Sequence, residues 1–398
     1  MKVAGIVAEY NPFHTGHAHQ IAVTRAAMGG DCAVVAVMSG SWVQQAHCAV
    51  VDKWTRAQLA LMGGADLVLE LPTVWAMSSA ESFARGAVSI LHACGVVDAI
   101  SFGSECGDVD KLRRVAACLD SREYRTALGP MLDKGETFAV CRQRAVEQLL
   151  GKDMGNLLSG ANNNLGVEYI RALNALGSDV EPMTVLRQGA GHNQVTEEAV
   201  FRSATQLRRE IMRENWRAVE EFLPAGGLEW LQNAARPDLQ RAERAVLARL
   251  RTMTAEDWAK LPDSGALEGL PQRLERAGRT CTDLADFFDR AKTRRFTHAR
   301  LRRLVLWAYL GMTVADVPET PPYIRVLGFN QRGRAVLAKM RKAAALPVIT
   351  KPAHAKRLEG DARRLFELEC RCTDLYDLCL ESIPTPGREW TCGPVTTE

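Results

Sequence analysis

The stretch that decides the fold lies near the start of the chain and reads KVAGIVAEYNPFHTGH over residues 2–17. Its first part, Lys2–Ala8, is a short run rich in Val, Ile and Ala, which is typical of a buried strand, and Asn11-Pro12 ends that strand. Gly16 lets the backbone approach a ligand closely, and the amphipathic residues from about Gly16 to Met28 predict a helix. We therefore predict a strand, a tight loop and a helix whose free amides point at a phosphate-binding site.

The same alternation of strand and helix continues along the first half of the chain. Further strands are predicted at Cys32–Met38, Asp66–Leu71, Ala99–Phe102 and Pro182–Arg187. The pairs Gly29-Gly30 and Gly63-Gly64 are placed where helices end before the second and third strands. Apolar strands without polar alternation, separated by helices, predict an α/β fold with a parallel sheet covered on both faces. The ligand site of such a sheet is expected at the carboxyl ends of its strands.

Length and composition narrow the class of protein. The chain has 398 residues, of which 47% are hydrophobic and 24% charged, so a disordered chain is excluded and two or three domains are expected. No apolar run is long enough for a membrane helix, and no export signal precedes the first strand, which predicts a cytoplasmic protein without a membrane partner. The eleven Cys include no CxxC pair, so a reducing compartment is expected. Cys370, Cys372 and Cys379 cluster without a second ligand pair, and no metal site is predicted.

Charge is distributed unevenly along the chain. Residues 290–357 contain sixteen Lys or Arg against two acids, a net charge of +14, so the remainder carries −11 of the total of +3. Such a separation of sign is typical of a protein that binds a polyanion such as nucleic acid. Because no strand is predicted after Asn215, we predict a Rossmann-like domain over residues 1–215 and a helical, basic, RNA-binding domain over residues 216–398.

His14 and His17 are the predicted catalytic residues. They are three residues apart at the mouth of the first helix, so both imidazoles can donate hydrogen bonds to phosphate oxygens that gain charge during attack on an α-phosphorus. The alternative is a structural pair that satisfies loop carbonyls.

A second phosphate contact is predicted at Ser203–Arg208. Hydroxyls of Ser203 and Thr205 at a helix start, with Arg208 one turn later, would hold the β- and γ-phosphates. The alternative is an ordinary helix cap.

Taken together, these motifs resemble the HxGH nucleotidyltransferase superfamily of Rossmann-like (HUP-type) folds. Longer blocks are similar to one family within it, the bacterial tRNA(Met) cytidine acetate ligases. The blocks are Gly5–His17, Met38–Gly40, Val51–Arg56, Gly64–Pro72, Phe102–Glu105, Leu165–Tyr169 and Arg325–Asn330. The resemblance implies an ATP-dependent ligase that activates acetate as acetyl-adenylate and acetylates the N4 amine of the wobble cytidine of elongator tRNA(Met). It also implies ATP as cofactor, with Mg²⁺.

The resemblance further implies a set of nucleotide-binding residues. Those in the first loop and helix are Val7, Ala8, Glu9, Tyr10, Asn11, Pro12, Phe13, His14, Gly16, His17 and Gln20. Gly103, Asn162 or Asn163, and Arg187 match the remaining contacts, and three consecutive Asn leave the register open. Of these, Gly103 also fits the expected site at the strand ends.

One loop departs from the family pattern. The family carries a Gln-Arg-Gly-Glu-like stretch after Met38–Gly40, whereas this chain reads Gln44-Gln45-Ala46-His47-Cys48. A positive and a negative charge are therefore missing. Lys53 and Arg56 are then the nearby cations that either face the triphosphate or form a surface pair.

Two other functions stay open at this point. An adenylyltransferase that makes a nucleotide cofactor would share the HxGH site and need no RNA. A non-catalytic tRNA-binding protein would keep the basic region alone. The sequence leaves the oligomeric state undetermined.

Overall fold

The computed structural model describes residues 1–132, 137–187, 202–293 and 296–398. Within these residues the strands are β1 (Val3–Ala8), β2 (Ala33–Ser39), β3 (Trp42–Val43), β4 (His47–Cys48), β5 (Leu67–Leu71), β6 (Ala99–Ser104), β7 (Glu181–Leu186), β8 (Ile324–Phe329), β9 (Val348–Ile349) and β10 (Val395–Thr396). The main sheet has the order β10-β8-β5-β2-β1-β6-β7, with β9 paired to β8, and β3 and β4 form a separate hairpin.

The helices of the first half of the chain surround the sheet. They are α1 (Thr15–Met28), α2 (Lys53–Met62), α3 (Thr73–Ala76), α4 (Ala80–Ala93), α5 (Val109–Asp120), α6 (Arg122–Leu132), α7 (Phe138–Leu150), α8 (Lys152–Asn156), α9 (Ala161–Ala175) and α10 (Ala204–Met212). As predicted, α1 ends at Gly29 with φ 98°, and α2 ends at Gly63, followed by Gly64 with φ 107°.

The second half of the chain is mainly helical. Its helices are α11 (Gly227–Asn233), α12 (Glu243–Thr252), α13 (Ala255–Ala259), α14 (Leu270–Thr280), α15 (Leu284–Ala291), α16 (His298–Leu310), α17 (Gln331–Ala343), α18 (Pro352–Ala355), α19 (Gly360–Asp377) and α20 (Arg388–Thr391). Short 3₁₀ turns lie at Leu157–Ser159, Trp216–Ala218, Glu220–Phe222, Leu239–Ala242, Ala266–Glu268 and Val314–Asp316.

The central strand β2 shows why the sheet is buried on both faces. Every residue of β2 is buried. Ala33, Val35 and Val37 contribute to one apolar core, together with side chains of α4, α5 and α9. Val34, Ala36 and Met38 contribute to a second core on the opposite face, together with side chains of α1, α2 and α10. Since adjacent side chains point to opposite faces, a continuous apolar run is what a strand between two helical layers requires.

The prediction that no strand follows Asn215 is wrong. Strand β8 pairs with β5 in the antiparallel direction, and β9 and β10 pair with β8 in the parallel direction. The second half of the chain therefore completes the sheet of the first half. The five strands predicted in the first half are confirmed, and β1, β2, β5, β6 and β7 form parallel pairs.

A buried charge network, defined by Lys53, Glu70, Arg325 and Glu389, joins these two halves. Nζ of Lys53 lies 2.5 Å from a carboxylate oxygen of Glu70 and 2.5 Å from one of Glu389, and Arg325 is paired with Glu389. All four side chains are at most 4% exposed. Two cations thus meet two carboxylates away from water, an arrangement that tolerates the loss of no single partner.

Among the described residues, no helix is long and apolar enough to cross a membrane. The three clustered cysteines lie in or next to α19 and are buried free thiols. In the same described ranges no group of three His, Cys, Asp or Glu side chains is placed to hold a metal ion.

Candidate active site

The HxGH motif forms the beginning of α1, at the carboxyl end of the central strand β1. His14 is the N-cap residue, and its Nδ1 accepts a hydrogen bond from the backbone N–H of Gly16 at 3.1 Å. Nδ1 of His17 accepts in return from the backbone N–H of His14 at 3.1 Å. The two imidazoles thus cap the helix reciprocally, as Ser and Glu do in the usual capping box. Their ring centroids lie 3.8 Å apart.

Burial keeps both imidazoles neutral, and the cap determines which ring nitrogen carries the proton. Burial lowers the pKa of His14 to about 4, and the charges of Arg187 and Arg208 act in the same direction. Burial also holds the pKa of His17 well below its usual value, with His14 and Arg187 as further causes. Both rings are therefore neutral at pH 7. Because each Nδ1 accepts a hydrogen bond, each proton is carried on Nε2, which leaves two neighbouring N–H donors beside the helix amides.

Aromatic side chains of the HxGH loop pack against one another. Tyr10 packs edge-on against both Phe13 and His17, with centroid distances of 4.9 Å in each case. Tyr10 has φ 44°, an unfavourable value for a residue with a Cβ, and the buried amide oxygen of Asn11 accepts from the N–H of Val50 at 2.7 Å. These contacts hold the backbone of the loop in one conformation.

Gly63 leaves the space that Phe13 occupies. A Cβ at Gly63 would lie 2.0 Å from Cε1 of Phe13, which is fully buried. We expect Gly63→Ala to displace Phe13 and to lower the free energy of unfolding by about 1–3 kcal/mol, as overpacked cores do. The measurement is the urea midpoint, with Gly393→Ala, where no atom lies within 4 Å of the added methyl, as the control. Equal midpoints for the two variants would contradict the prediction.

Arg208 reaches the HxGH loop from α10. Its guanidinium donates to the carbonyl of Asn11 at 2.9 Å and to the hydroxyl of Thr205 at 3.0 Å. Ser203 caps α10, and its hydroxyl accepts from the N–H of Gln206 at 3.3 Å. The structure therefore brings Arg208 to the loop, with the Thr205 hydroxyl bonded to its guanidinium, while the Ser203 side chain caps α10.

Gly103, Asn162 and Arg187 meet at the ends of β6 and β7. A Cβ at Gly103 would lie 3.2 Å from Cγ of Arg187, so an added methyl group would require the Arg187 side chain to shift by a few tenths of an ångström. The Arg187 guanidinium donates to Oδ1 of Asn162 at 3.1 Å. The charge of Arg187 also lowers the pKa of both His14 and His17, so its guanidinium acts electrostatically on the imidazole pair.

The structure distinguishes the two candidate asparagines. Asn163 is buried, and its Oδ1 accepts from the backbone N–H groups of Glu105 at 3.0 Å and Cys106 at 3.2 Å. Its side chain is therefore occupied by the β6–α5 loop, whereas Asn162 is the residue that contacts Arg187. Gln20 turns its amide to the carbonyl of Ser101 at 3.2 Å, which places it between α1 and β6.

Lys53 and Arg56 do not face the site. Lys53 belongs to the buried charge network, and Arg56 is fully buried and donates to the carbonyls of Glu9, Gly40 and Val51. Both expectations, a triphosphate contact and a surface pair, are wrong. Three backbone carbonyls accept hydrogen bonds from the Arg56 guanidinium and replace water as partners of its buried charge. Arg56 therefore has a structural role next to the site.

The loop that departs from the family pattern is the β3–β4 hairpin. Its backbone is tied to the site because the N–H of Gln44 donates to the Glu9 carboxylate at 2.8 Å. Ala46 takes φ 58° at the turn, a conformation that favours glycine. Burial lowers the pKa of His47, and the charges of Arg208 and of Arg302 in α16 act in the same direction.

The basic segment does not form one surface. Arg325 is buried, Arg300 and Arg303 are paired with Asp263, and Arg294 and Arg295 lie outside the described residues. The cations of α17 lie at the amino-terminal edge of the sheet, opposite the HxGH loop: Lys339 contacts the carbonyl of Met1 at 3.2 Å. Arg302 is exposed, and its charge acts on His47 of the β3–β4 hairpin.

Comparisons with known proteins agree with this geometry. The model of the HIGH nucleotidyl transferase family matches residues 1–388. A tRNA(Met) cytidine acetate ligase of Caldanaerobacter subterraneus subsp. tengcongensis is 37% identical over 396 residues, with 96% of each chain covered. One of Thermoanaerobacter sp. is 33% identical, with 98% of each chain covered.

Solved structures give the same result. A crystal structure of Thermotoga maritima TmcAL bound with alpha-thio ATP superposes with a TM-score of 0.90 at 33% identity, covering 100% of this chain and 99% of that one. The apo form of the same protein gives a TM-score of 0.92. With near-complete coverage by sequence and by structure, this chain belongs to the HIGH nucleotidyltransferases and, among them, to the tRNA(Met) cytidine acetate ligase family.

Proposed function

We propose that this protein is an ATP-dependent ligase that activates acetate as acetyl-adenylate and transfers the acetyl group to N4 of the wobble cytidine of elongator tRNA(Met). The observation that carries the proposal is the pair of neutral imidazoles whose Nε2–H donors flank the amide end of α1. Relatives named for this activity cover nearly the whole chain, which supports the same assignment.

In this proposal the triphosphate lies on the β1–α1 loop, from Val7 to Gln20. Donors of His14 and His17, together with the charges of Arg187 and Arg208, stabilise the phosphate oxygens as an acetate oxygen attacks the α-phosphorus and pyrophosphate leaves. The cytidine N4 amine then attacks the acetyl carbonyl, the bond to the adenylate oxygen breaks, AMP leaves and the amine releases one proton. No side-chain nucleophile is required, because acetate is itself ionised at neutral pH.

We propose that Mg²⁺ enters the site together with ATP. The described side chains include no three-ligand cluster, and Mg²⁺ in nucleotide sites usually depends on phosphate oxygens and few protein ligands. When bound, it would neutralise part of the phosphate charge.

Pyrophosphate release tests the proposal directly. We expect release that depends on both ATP and acetate, and acetylated tRNA only when elongator tRNA(Met) is added. Formation of a soluble nucleotide product without acetate would instead indicate an adenylyltransferase. Absence of any release, with tRNA binding intact, would indicate a non-catalytic RNA-binding protein.

Arg302 gives a sharper test of the tRNA surface. Because Arg302 is exposed and its charge acts on His47 of the β3–β4 hairpin, we propose that it contacts an RNA phosphate next to the site. Arg302→Ala is then expected to weaken tRNA binding and to reduce the slope of log affinity against log salt concentration by about one. Arg341→Ala, an exposed cation of α17 at the opposite edge of the sheet, is the matched control and should bind tRNA as the parent protein does. Equal effects of the two substitutions would show that RNA is not held near the hairpin.

A further inference from the structure

Glu105 lies directly after β6, in the Phe-Gly-Ser-Glu block. Its carboxylate accepts three hydrogen bonds from the beginning of α9. One oxygen accepts from the backbone N–H of Asn162 at 3.1 Å and from its side-chain Nδ2 at 2.7 Å, and the other accepts from the N–H of Asn163 at 2.7 Å. Glu105 therefore holds both the backbone and the side chain of Asn162.

These bonds determine which way the Asn162 amide points. A carboxylate only accepts hydrogen bonds, so the side of the amide that faces Glu105 must be the NH₂ group. Oδ1 then necessarily faces the opposite direction, where it accepts from the Arg187 guanidinium at 3.1 Å. A flipped amide would place NH₂ against the guanidinium, and two donors cannot satisfy each other.

Arg187 is the end of this series of contacts. It packs over Gly103, where a Cβ would lie 3.2 Å from its Cγ, and its charge acts on both imidazoles. We propose that Glu105 is a positioning residue of the nucleotide site: its carboxylate orients the amide of Asn162, which in turn orients Arg187 toward the nucleotide. This inference rests on the proposed function, because it assumes that a nucleotide occupies the site.

The protonation state of Glu105 agrees with this role. Burial raises the pKa of its carboxyl group, but the hydrogen bonds from Asn162 and Asn163 outweigh burial and leave the pKa below its usual value. Glu105 is therefore an acceptor at neutral pH, as the orientation of the amide requires.

The test is a double-mutant cycle on nucleotide affinity, with Glu105→Gln and Asn162→Ala. A glutamine at position 105 has the same size but offers both an NH₂ donor and a carbonyl acceptor. The Asn162 amide could then face it in either orientation. We expect Glu105→Gln to raise the dissociation constant of a non-hydrolysable ATP analogue, measured by calorimetry, about tenfold, the loss of one charge-assisted hydrogen bond. The KM for ATP should rise, and kcat at saturating ATP should fall as well, because the charge of Arg187 also acts on the phosphate oxygens during attack. In the Asn162→Ala background the same substitution should have no further effect.

Ser104→Ala is the matched control, because it weakens the β6–α5 loop without changing the contact between Glu105 and Asn162. The Ser104 hydroxyl accepts from the N–H of Gly107 at 2.9 Å and bonds to the hydroxyl of Thr184 at 2.6 Å, so its loss disturbs the same loop without touching the Asn162 amide. We expect a lower melting temperature and an unchanged affinity for the analogue. If Glu105→Gln does not fold, Glu105→Asp, which keeps an acceptor at shorter reach, should show an intermediate affinity.

Two results would overturn the role of Glu105. One is wild-type affinity in Glu105→Gln; the other is a full additional loss in the Asn162→Ala background. Failure of the unsubstituted protein to bind the analogue would instead overturn the proposed function itself, so the two failures are distinguishable.

Discussion

His17→Ala is expected to reduce acetyl-adenylate formation on the order of a thousandfold, because it removes a donor aimed at charge that develops in the transition state. The structure gives His17 a second role, however, since its Nδ1 caps the helix by accepting from the N–H of His14 at 3.1 Å. Loss of activity in the alanine variant alone would therefore not separate catalysis from loop structure.

Two further substitutions at the same position separate these roles. Asparagine places an acceptor near the position of Nδ1 and no donor at Nε2, whereas glutamine places a donor near Nε2 and no acceptor at Nδ1. We expect His17→Asn to keep a melting temperature close to that of the parent protein and to be as inactive as His17→Ala. His17→Gln should be less stable but retain part of the activity. The measurement is pyrophosphate release with ATP and acetate.

Binding of tRNA provides the control for these variants. Since the imidazoles face the phosphate site, all three substitutions should leave tRNA affinity unchanged. An active His17→Asn variant would show that the cap, and not the Nε2–H donor, is what the reaction needs.

Glu389→Gln is expected to lower the free energy of unfolding by about 3–5 kcal/mol, the cost of leaving a buried charge without its partner. Burial raises the pKa of Glu389, but the charges of Arg325 and Lys53 outweigh it and hold the pKa at about 2. Burial and the neighbouring Glu70 raise the pKa of Glu369 to about 8, so that acid stays protonated at pH 7. In the variant, the two buried cations would share the carboxylate of Glu70 alone.

The measurement is the free energy of unfolding from urea denaturation. Glu367→Gln is the control, because its ion pair with Arg363 is exposed and follows the i, i+4 spacing within α19. Exposed pairs of this kind contribute at most about 1 kcal/mol. A similar small loss for Glu389→Gln would mean that water reaches the network and screens its charges.

The sequence revealed the first-half strands because each is a short apolar run between helices. Strand β8 was missed for a physical reason: its run, IRVLGF, carries Arg325 in the interior and would read as a charged segment. The partner that makes this arginine acceptable in a strand is Glu389, 64 residues later. Pairing across such a separation cannot be read from local pattern.

The candidate site likewise contains some residues that local sequence pattern predicts and others whose placement depends on distant parts of the chain. Spacing alone placed His14 and His17 at the helix mouth, since both are fixed by one local turn. The asparagine register stayed open because it depends on Glu105, a residue 57 positions earlier that holds the beginning of α9. Lys53 and Arg56 were misinterpreted because charged side chains are seldom fully buried, and their partners come from other elements. Glu105 stands directly after a strand end, and an acid in that position is a sequence signal that could have pointed to a polar contact at the site.

The buried charge network includes Glu389, and the main sheet includes β10, so both depend on residues far along the chain. This order has a consequence for biosynthesis. The ribosome delivers β1, β2 and β5 long before it delivers Glu389, the second of the two carboxylates that balance the charges of Lys53 and Arg325. Nascent chains usually fold domain by domain from the amino terminus, but here the main sheet is complete only after β10 has been synthesised. A chain released by the ribosome before residue 389 would therefore lack one carboxylate of the buried charge network and the edge strand β10, and we expect it to be less stable.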